Sequence, residues 1–274
     1  MKQLPGHFVH GKKILRKIQE DKFRKENPIR ELIEHYCNWH QRNEELKGYD
    51  ARIIKQRVQL FNEYKNFIDT HITASAQSKF HSSALEEFLY YLFRDYVREK
   101  DPDGIISLGG TKAYTNLYFS PMSFQDFIRH PRMRINSKDQ DFSIFRVVNI
   151  KADTEENRIN VPVVSIECKT YIDKTMLEGS IATAEKIKNG NPYSLFIVVT
   201  EYYDVSFDVD PKYSRIDQIF VLRKQKRPKD KKSRKNINSI DEEVVIRLFE
   251  FVREHLERPW SDVKKKLEEE GTII

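Results

Sequence analysis

The sequence predicts an α/β protein in which a central mixed sheet is flanked by helices and preceded by a helical N-terminal region. Three observations carry this reading. Over the first hundred residues apolar side chains recur at helical spacing, whereas after Gly110 short segments rich in β-branched and aromatic residues alternate with polar or Gly/Pro stretches. Between two of those segments lies a helical stretch, and strand, helix, strand in that order makes a crossover with parallel strands.

In residues 28–46, Ile29, Leu32, Ile33, Tyr36 and Trp39 form one stripe, with Pro28 at the start and Gly48 as a stop. From Arg52 the pattern repeats as Ile54, Val58, Phe61, Tyr64 and Ile68. A third helix, 82–99, carries Leu85, Phe88, Leu89, Leu92 and Tyr96, with Ser82 or Ser83 as cap and Asp101-Pro102-Asp103-Gly104 as stop and turn. Ordinary packing accounts for the first two stripes, along which nothing reactive lies. Strands are expected at 141–148, 161–171, 194–199 and 215–222. The crossover helix, 173–188, starts with charge and carries lysines near its end before Asn189-Gly190. A last helix at 242–256 has Val245, Leu248, Phe249, Val252 and Leu256 on its stripe, and the stretch after Trp260 reads as a charged, frayed end.

Lys plus Arg number 48 against 42 Asp plus Glu, a net charge of +6. Nine basic residues against one Asp in 223–235 give a local +8, so the remainder sums to about −2, as expected of one phosphate-facing element. Two cysteines are too few for a disulfide scaffold and suit a reducing compartment. The N-terminus shows no secretory apolar core, and the longest apolar runs are of strand length. The histidines have no zinc spacing, and there is no phosphate-binding G-x-x-x-x-G-K-[ST] loop.

The densest reactive cluster is SIECKTY, 165–171. Strand alternation puts Glu167 and Lys169 on one face and Ile166 and Cys168 on the other. In DFSIF, Asp141 and Ser143 likewise oppose Phe142 and Ile144. If the two strands are neighbours, Asp141 and Glu167 approach a common divalent ion, with the Cys168 main-chain carbonyl as a further oxygen. Few protein oxygens with retained waters suit Mg²⁺, which activates water and neutralises charge on a phosphoryl transition state. Lys169 would position the water and stabilise the same charge. A plain Glu–Lys cross-strand pair on an edge strand would give the same triplet.

The run DQDFSIF followed by SIECKTYIDKTMLEGSIATAEKIK resembles the PD-(D/E)xK nuclease core, with Asp141, Glu167 and Lys169 on its acidic, acidic and basic positions. Its extended wording, over 82–222, is similar to the type II restriction endonucleases typified by BbvCI. The proline that commonly precedes the first Asp is replaced by Gln140, and Asp141 is preferred to Asp139 because it abuts the apolar strand. The resemblance implies a restriction-endonuclease-like fold, with 1–80 as a helical region for DNA binding or subunit contact and 81–274 as the nuclease core. It implies Mg²⁺, for which Mn²⁺ substitutes, and cutting of double-stranded DNA at a short asymmetric site to leave 5′-phosphate and 3′-hydroxyl. It further implies a related second nuclease subunit for the other strand, a cognate DNA methyltransferase in the same system, and the prokaryotic cytoplasm.

Members of this superfamily often add an acidic residue from the helix before the sheet. At ~100° per residue Glu86 lies ~90° from the centre of its helix's stripe and Glu87 nearly opposite it. Glu86 is therefore expected either as a metal or water-mediated ligand or as a boundary charge, and Glu87 as a solvated group. Tyr171 would flank the scissile phosphate or cover the sheet end; Glu178 and Lys186 would orient phosphate or lie on the surface. For duplex binding the candidates are Arg129, Arg132 and Arg134 in a loop before Asp141, the basic stretch 12–30, and Arg223, Lys224, Lys226 and Arg227 opening the basic run. A noncatalytic DNA-binding or assembly subunit, or a repair or nicking nuclease, are the rival readings.

Overall fold

The computed structural model describes residues 9–19, 28–72, 79–152, 155–228, 237–260, 264 and 266–271. Helix α1 (Val9–Gln19) is followed by α2 (Ile29–Glu45), α3 (Ala51–His71) and α4 (Phe80–Lys100). Asp50 starts α3 by accepting the Ile53 N–H, the expected work of an N-cap carboxylate. Helix α4 starts differently from the serine-capped helix expected. Its N-cap is Lys79, in the left-handed region at φ 47°, while Ser82 and Ser83 lie inside the first turn and their hydroxyls donate back to the Lys79 and Phe80 carbonyls.

The sheet has the order β1 (Ile106–Phe119), β2 (Met133–Ala152), β3 (Glu155–Ile172), β4 (Leu195–Tyr203) and β5 (Gln218–Val221). The first three strands are antiparallel neighbours, and β3, β4 and β5 run parallel. Helix α6 (Lys174–Gly190) makes the crossover from β3 to β4, capped by Asp173, which accepts the Met176 N–H. Helix α7 (Glu242–Glu257), capped by Asp241, follows β5, and a short helical turn, Lys266–Glu270, comes after it.

Alternation divides the sheet cleanly. Phe142, Ile144, Val164, Ile166, Cys168, Leu195, Ile197 and Val199 pack with α2, α3, α4 and α7 in the main core. Phe196 and Val198, from the opposite face, join Ile172 with Leu177, Ala184 and Ile187 of α6 in a second cluster. The last turn of α6 lies so close to β1 that a Cβ on Gly190 would sit 2.5 Å from the Thr115 carbonyl oxygen.

Four differences from the sequence expectations have physical causes. Strand β1 was not expected, because ISLGGTKAYTNLYF is polar and holds two glycines; pairing with β2 along its whole length makes it a strand. Strand β2 reaches back to Met133, so the arginine-rich segment before Asp141 is largely ladder and not a loop, with short helix α5 (Phe124–Arg129) between the two strands. Helix α1 lies in a stretch read only as basic. Glu87, expected in solvent, is 2% exposed, because α1 and α2 cover the side of α4 away from the sheet. Among the described residues no helix is long and apolar enough to cross a membrane.

Candidate active site

The register Phe142 to Ile166 brings Asp141 and Glu167 to adjoining positions on neighbouring strands. Asp141 Oδ2 accepts the Cys168 main-chain N–H at 3.0 Å, which fixes the carboxylate against β3. The Lys169 ammonium is 2.6 Å from Glu167 Oε1 and 4.0 Å from Asp141 Oδ2. All three side chains are mostly shielded yet reachable. Burial works against the Lys169 cation, but the Glu167 and Asp141 carboxylates outweigh it and raise its pKa above the ordinary lysine value. Lys169 is therefore a held cation able to donate hydrogen bonds and to stabilise negative charge.

Cys168 turns its side chain into the main core, and burial pushes its thiol far above the ordinary value, so only its backbone faces the chemistry. Its main-chain N–H is already given to Asp141. The Cys168 main-chain carbonyl lies between the Glu167 and Lys169 positions of the same strand.

Glu86 comes from α4, 7% exposed, with Lys13 of α1 3.4 Å from Oε1. Burial lifts its pKa to about 7; Lys13 opposes the rise, and the Asp141 charge adds to it. Asp141 and Glu86 thus share one electrostatic neighbourhood. Among the described residues, however, no group of three or more His, Cys, Asp or Glu side chains is gathered to hold a metal ion, so Glu86 does not complete a three-carboxylate set with Asp141 and Glu167.

The two-carboxylate set itself suits a divalent cation. Glu167 Oε2 is buried without a hydrogen-bond partner among the described residues, the Lys169 ammonium meeting this carboxylate at Oε1 alone. Asp141 Oδ1 is 3.5 Å from the exposed Lys79 ammonium. Lys79 was missed from the sequence, and Lys13 was expected only as part of the basic stretch 12–30, not beside these carboxylates. Lys13 also donates to the Lys79 carbonyl, so the two lysines form one connected rim beside the carboxylates. Neither has a local signature; only the packing of α1 on α4 brings them there.

Other expected site residues scatter. Arg223 is buried, with Nε and Nη2 on Glu201 Oε2 at 3.0 and 2.9 Å and Nη2 3.2 Å from Asp69. That corrects its expected place on a phosphate-facing surface. The same two carboxylates hold the buried Lys65, so α3, β4 and the end of β5 are tied together by four charges. Lys224 pairs with Asp241, Lys226 lies 3.9 Å over the Phe207 ring, and Arg227 lies 3.6 Å over the ring of Tyr171, two residues beyond Lys169. The rest of the basic run, 229–235, lies outside the described residues, as does 20–27 of the N-terminal basic stretch. Arg129 is exposed on α5, Arg132 pairs with Asp126 at 2.8 Å, Arg134 is exposed on β2, and Lys186 is exposed late in α6. Asp139 is exposed opposite Lys112. A cavity of about 710 Å³ lies between Tyr203, Phe207, Ile219 and Lys226, and it is not lined by Asp141, Glu167 or Lys169. The carboxylates sit on a sheet face, where a long polymer has access and a small molecule would be poorly enclosed.

The family model of the Bpu10I restriction endonuclease matches residues 77–270, which is most of the chain and includes every residue of this cluster except Lys13. The chain belongs to the Bpu10I restriction endonuclease family. It is accordingly a type II restriction endonuclease polypeptide, and its sheet and helices have the restriction-endonuclease-like fold. Among solved structures, the native BbvCI A2B2 tetramer contains a chain that superposes with a TM-score of 0.72 at 23% identity, covering 90% of this chain and 94% of that one. No curated protein matches significantly. The Bpu10I-family match begins just before α4, so α1, α2 and α3 lie outside it while sharing its core.

Proposed function

We propose that this chain is a Mg²⁺-dependent nuclease subunit that hydrolyses one strand of double-stranded DNA at a short, asymmetric site. The observation that carries the reading is Glu167 Oε2, buried and without a hydrogen-bond partner among the described residues, beside the Lys169–Glu167 pair and Asp141. Asp141, Glu167 and the Cys168 main-chain carbonyl would hold the ion, with Glu86 acting through a water. When bound, Mg²⁺, or Mn²⁺ in its place, lowers the pKa of water and neutralises charge on the phosphate.

The chain's own residues do the rest. The Cys168 N–H keeps the Asp141 carboxylate turned to the site. Lys169, held protonated, donates to the attacking water and to the phosphate oxygen on which charge builds. Water attack with departure of the 3′ oxygen leaves a 5′-phosphate and a 3′-hydroxyl. Arg129, Arg132, Arg134, Lys186, Lys224, Lys226 and Arg227, with residues 1–80, are the candidates for holding the duplex. One such cluster per chain cuts one strand at a time, so a related second subunit would supply the other, as the A2B2 composition of BbvCI suggests. A methyltransferase of the same specificity and a prokaryotic cytoplasmic location complete the reading.

Single-turnover cleavage of a random-sequence duplex library with Mg²⁺ tests it. Lys169→Ala is expected to lower the rate at least about 100-fold, and Asp141→Ala or Glu167→Ala to abolish Mg²⁺-supported cutting, while Asp139→Ala costs little. A Lys169→Ala rate within about threefold of the parent would remove Lys169 from the chemistry. Failure of the parent chain to cut, even beside a partner with an inactivated site, would favour a noncatalytic subunit.

A further inference from the structure

The end of α6, the start of β4 and the end of α7 enclose a polar cavity of about 360 Å³ that the nuclease reading does not use. Its volume is that of a small-molecule site. Two of its lining side chains are almost fully buried, Ser194 at 2% and His255 at 5% exposure, and neither Ser194 Oγ nor His255 Nε2 has a hydrogen-bond partner among the described residues. Buried polar atoms are normally paired, so these two stand ready for a ligand. The wall that carries them is held in place. The Ser194 N–H donates to the Asn191 carbonyl, Asn191 Nδ2 donates to the Pro162 carbonyl, and Trp260 Nε1 donates to the His255 carbonyl at 2.7 Å.

We infer that this cavity binds the phosphate group of a small phosphomonoester. Arg258 Nη2 lies 3.1 Å from His255 Nδ1, and a guanidinium only donates, so Nδ1 keeps its lone pair and the neutral ring carries its proton on Nε2. Burial and the Arg258 charge both hold the ring neutral. The Val163 and Tyr193 carbonyls face the ring and favour its proton, yet Nε2 closes no hydrogen bond with them. The Nε2–H group and the Ser194 hydroxyl are thus two donors without acceptors. Charge then selects an anion. Lys188, Arg258 and Lys266 line the cavity against one carboxylate, Asp217. Both oxygens of that carboxylate are taken: Oδ1 is 2.6 Å from the Lys188 ammonium, and Oδ2 accepts the Phe196 N–H at 2.7 Å. Arg258 and Lys266 therefore remain as a positive excess among the described lining residues. Water would satisfy the hydroxyl and the imidazole but not that excess. A phosphomonoester brings a charge of about −1.5 to −2 and three acceptor oxygens, whereas a carboxylate or a backbone phosphodiester brings a single charge. The site is separate from the catalytic cluster. Lys169 pairs with Thr200, six residues and about 20 Å of extended chain from Ser194.

Titration of the full chain with inorganic phosphate at constant ionic strength, without DNA or metal, tests this separately from any nuclease activity. Trp260 lines the cavity while Trp39 is buried in the main core, so tryptophan fluorescence reports on the site. A saturable fluorescence change is expected, with a rise in Tm because the folded state alone binds. Arg258→Gln should weaken phosphate binding at least about tenfold and Ser194→Ala several-fold. Neither removes a packed apolar group, so circular dichroism should not change. Phosphate should also bind when a metal-free random-sequence duplex is saturating. Competitive displacement of phosphate by that duplex, with both weakened alike by Arg258→Gln, would assign the site to the DNA backbone and overturn the small-solute inference. So would a response that sodium chloride reproduces, or one that both substitutions leave unaltered.

Discussion

Glu87 illustrates how far one residue's chemistry departs from its position on a helical wheel. Its carboxylate accepts from the hydroxyls of Tyr36 and Tyr91 and from the His10 and Gly11 N–H groups. Burial nevertheless lifts its pKa from 4.5 to about 7, those hydrogen bonds only partly opposing the rise. The folded protein therefore binds the proton more tightly than the unfolded chain, so this group lowers stability progressively as pH climbs through that window. Glu87→Gln removes the titration: relative to the parent, the variant should gain stability between pH 4.5 and about 7, by about 3 kcal/mol for a shift of this size. Urea midpoints at pH 5, 6 and 7 check it, and a parent-minus-variant difference independent of pH would show that Glu87 does not titrate there. At this scale the shared face of Glu167 and Lys169 beside Asp141 was legible because period-two alternation depends only on local backbone. Glu87, Lys13 and Lys79 were not, because their surroundings come from α1 and α2, distant in sequence.

Among elements, the stripes of α2, α3, α4 and α7 and the crossover β3–α6–β4 could be read because each buries one continuous apolar face. Strand β1 could not: its pairing with β2, not its own side chains, makes it a strand. The seat of α6 on β1 is similarly invisible in sequence, since Asn189-Gly190 reads as a simple stop. In the structure Gly190 is needed for close approach to Thr115. Gly190→Ala should force the helix and strand apart and cost about 1–3 kcal/mol, the usual price of overpacking against backbone. A thermal melt unchanged by the substitution would show that the contact yields freely.

For the molecule as a whole, the proposed reading rests on one carboxylate–lysine cluster among the described residues, and the outcome expected on DNA follows from it. With Mg²⁺, this chain alone is expected to nick a supercoiled plasmid carrying one site, and linear product is expected only when a related subunit is added. Linear product at stoichiometric concentration from the chain by itself would show that two copies cut both strands. The fold class was readable at this scale from the order of its elements. The exposure of the apolar side chains between Tyr118 and Ile128 was not, because in sequence they look like ordinary core.

The curl of the sheet has one more consequence. Strand β1 is turned back until Ala113 meets Asn160 of β3, which takes up part of what would be a free margin of fourteen residues. The opposite margin, β5, is four residues long and is followed, after Leu222 and Arg223, by Lys224 in a left-handed conformation that a further strand residue would not adopt. A neighbouring molecule thus finds little unpaired backbone to extend, and amyloid-like strand addition is disfavoured even where chains are concentrated side by side.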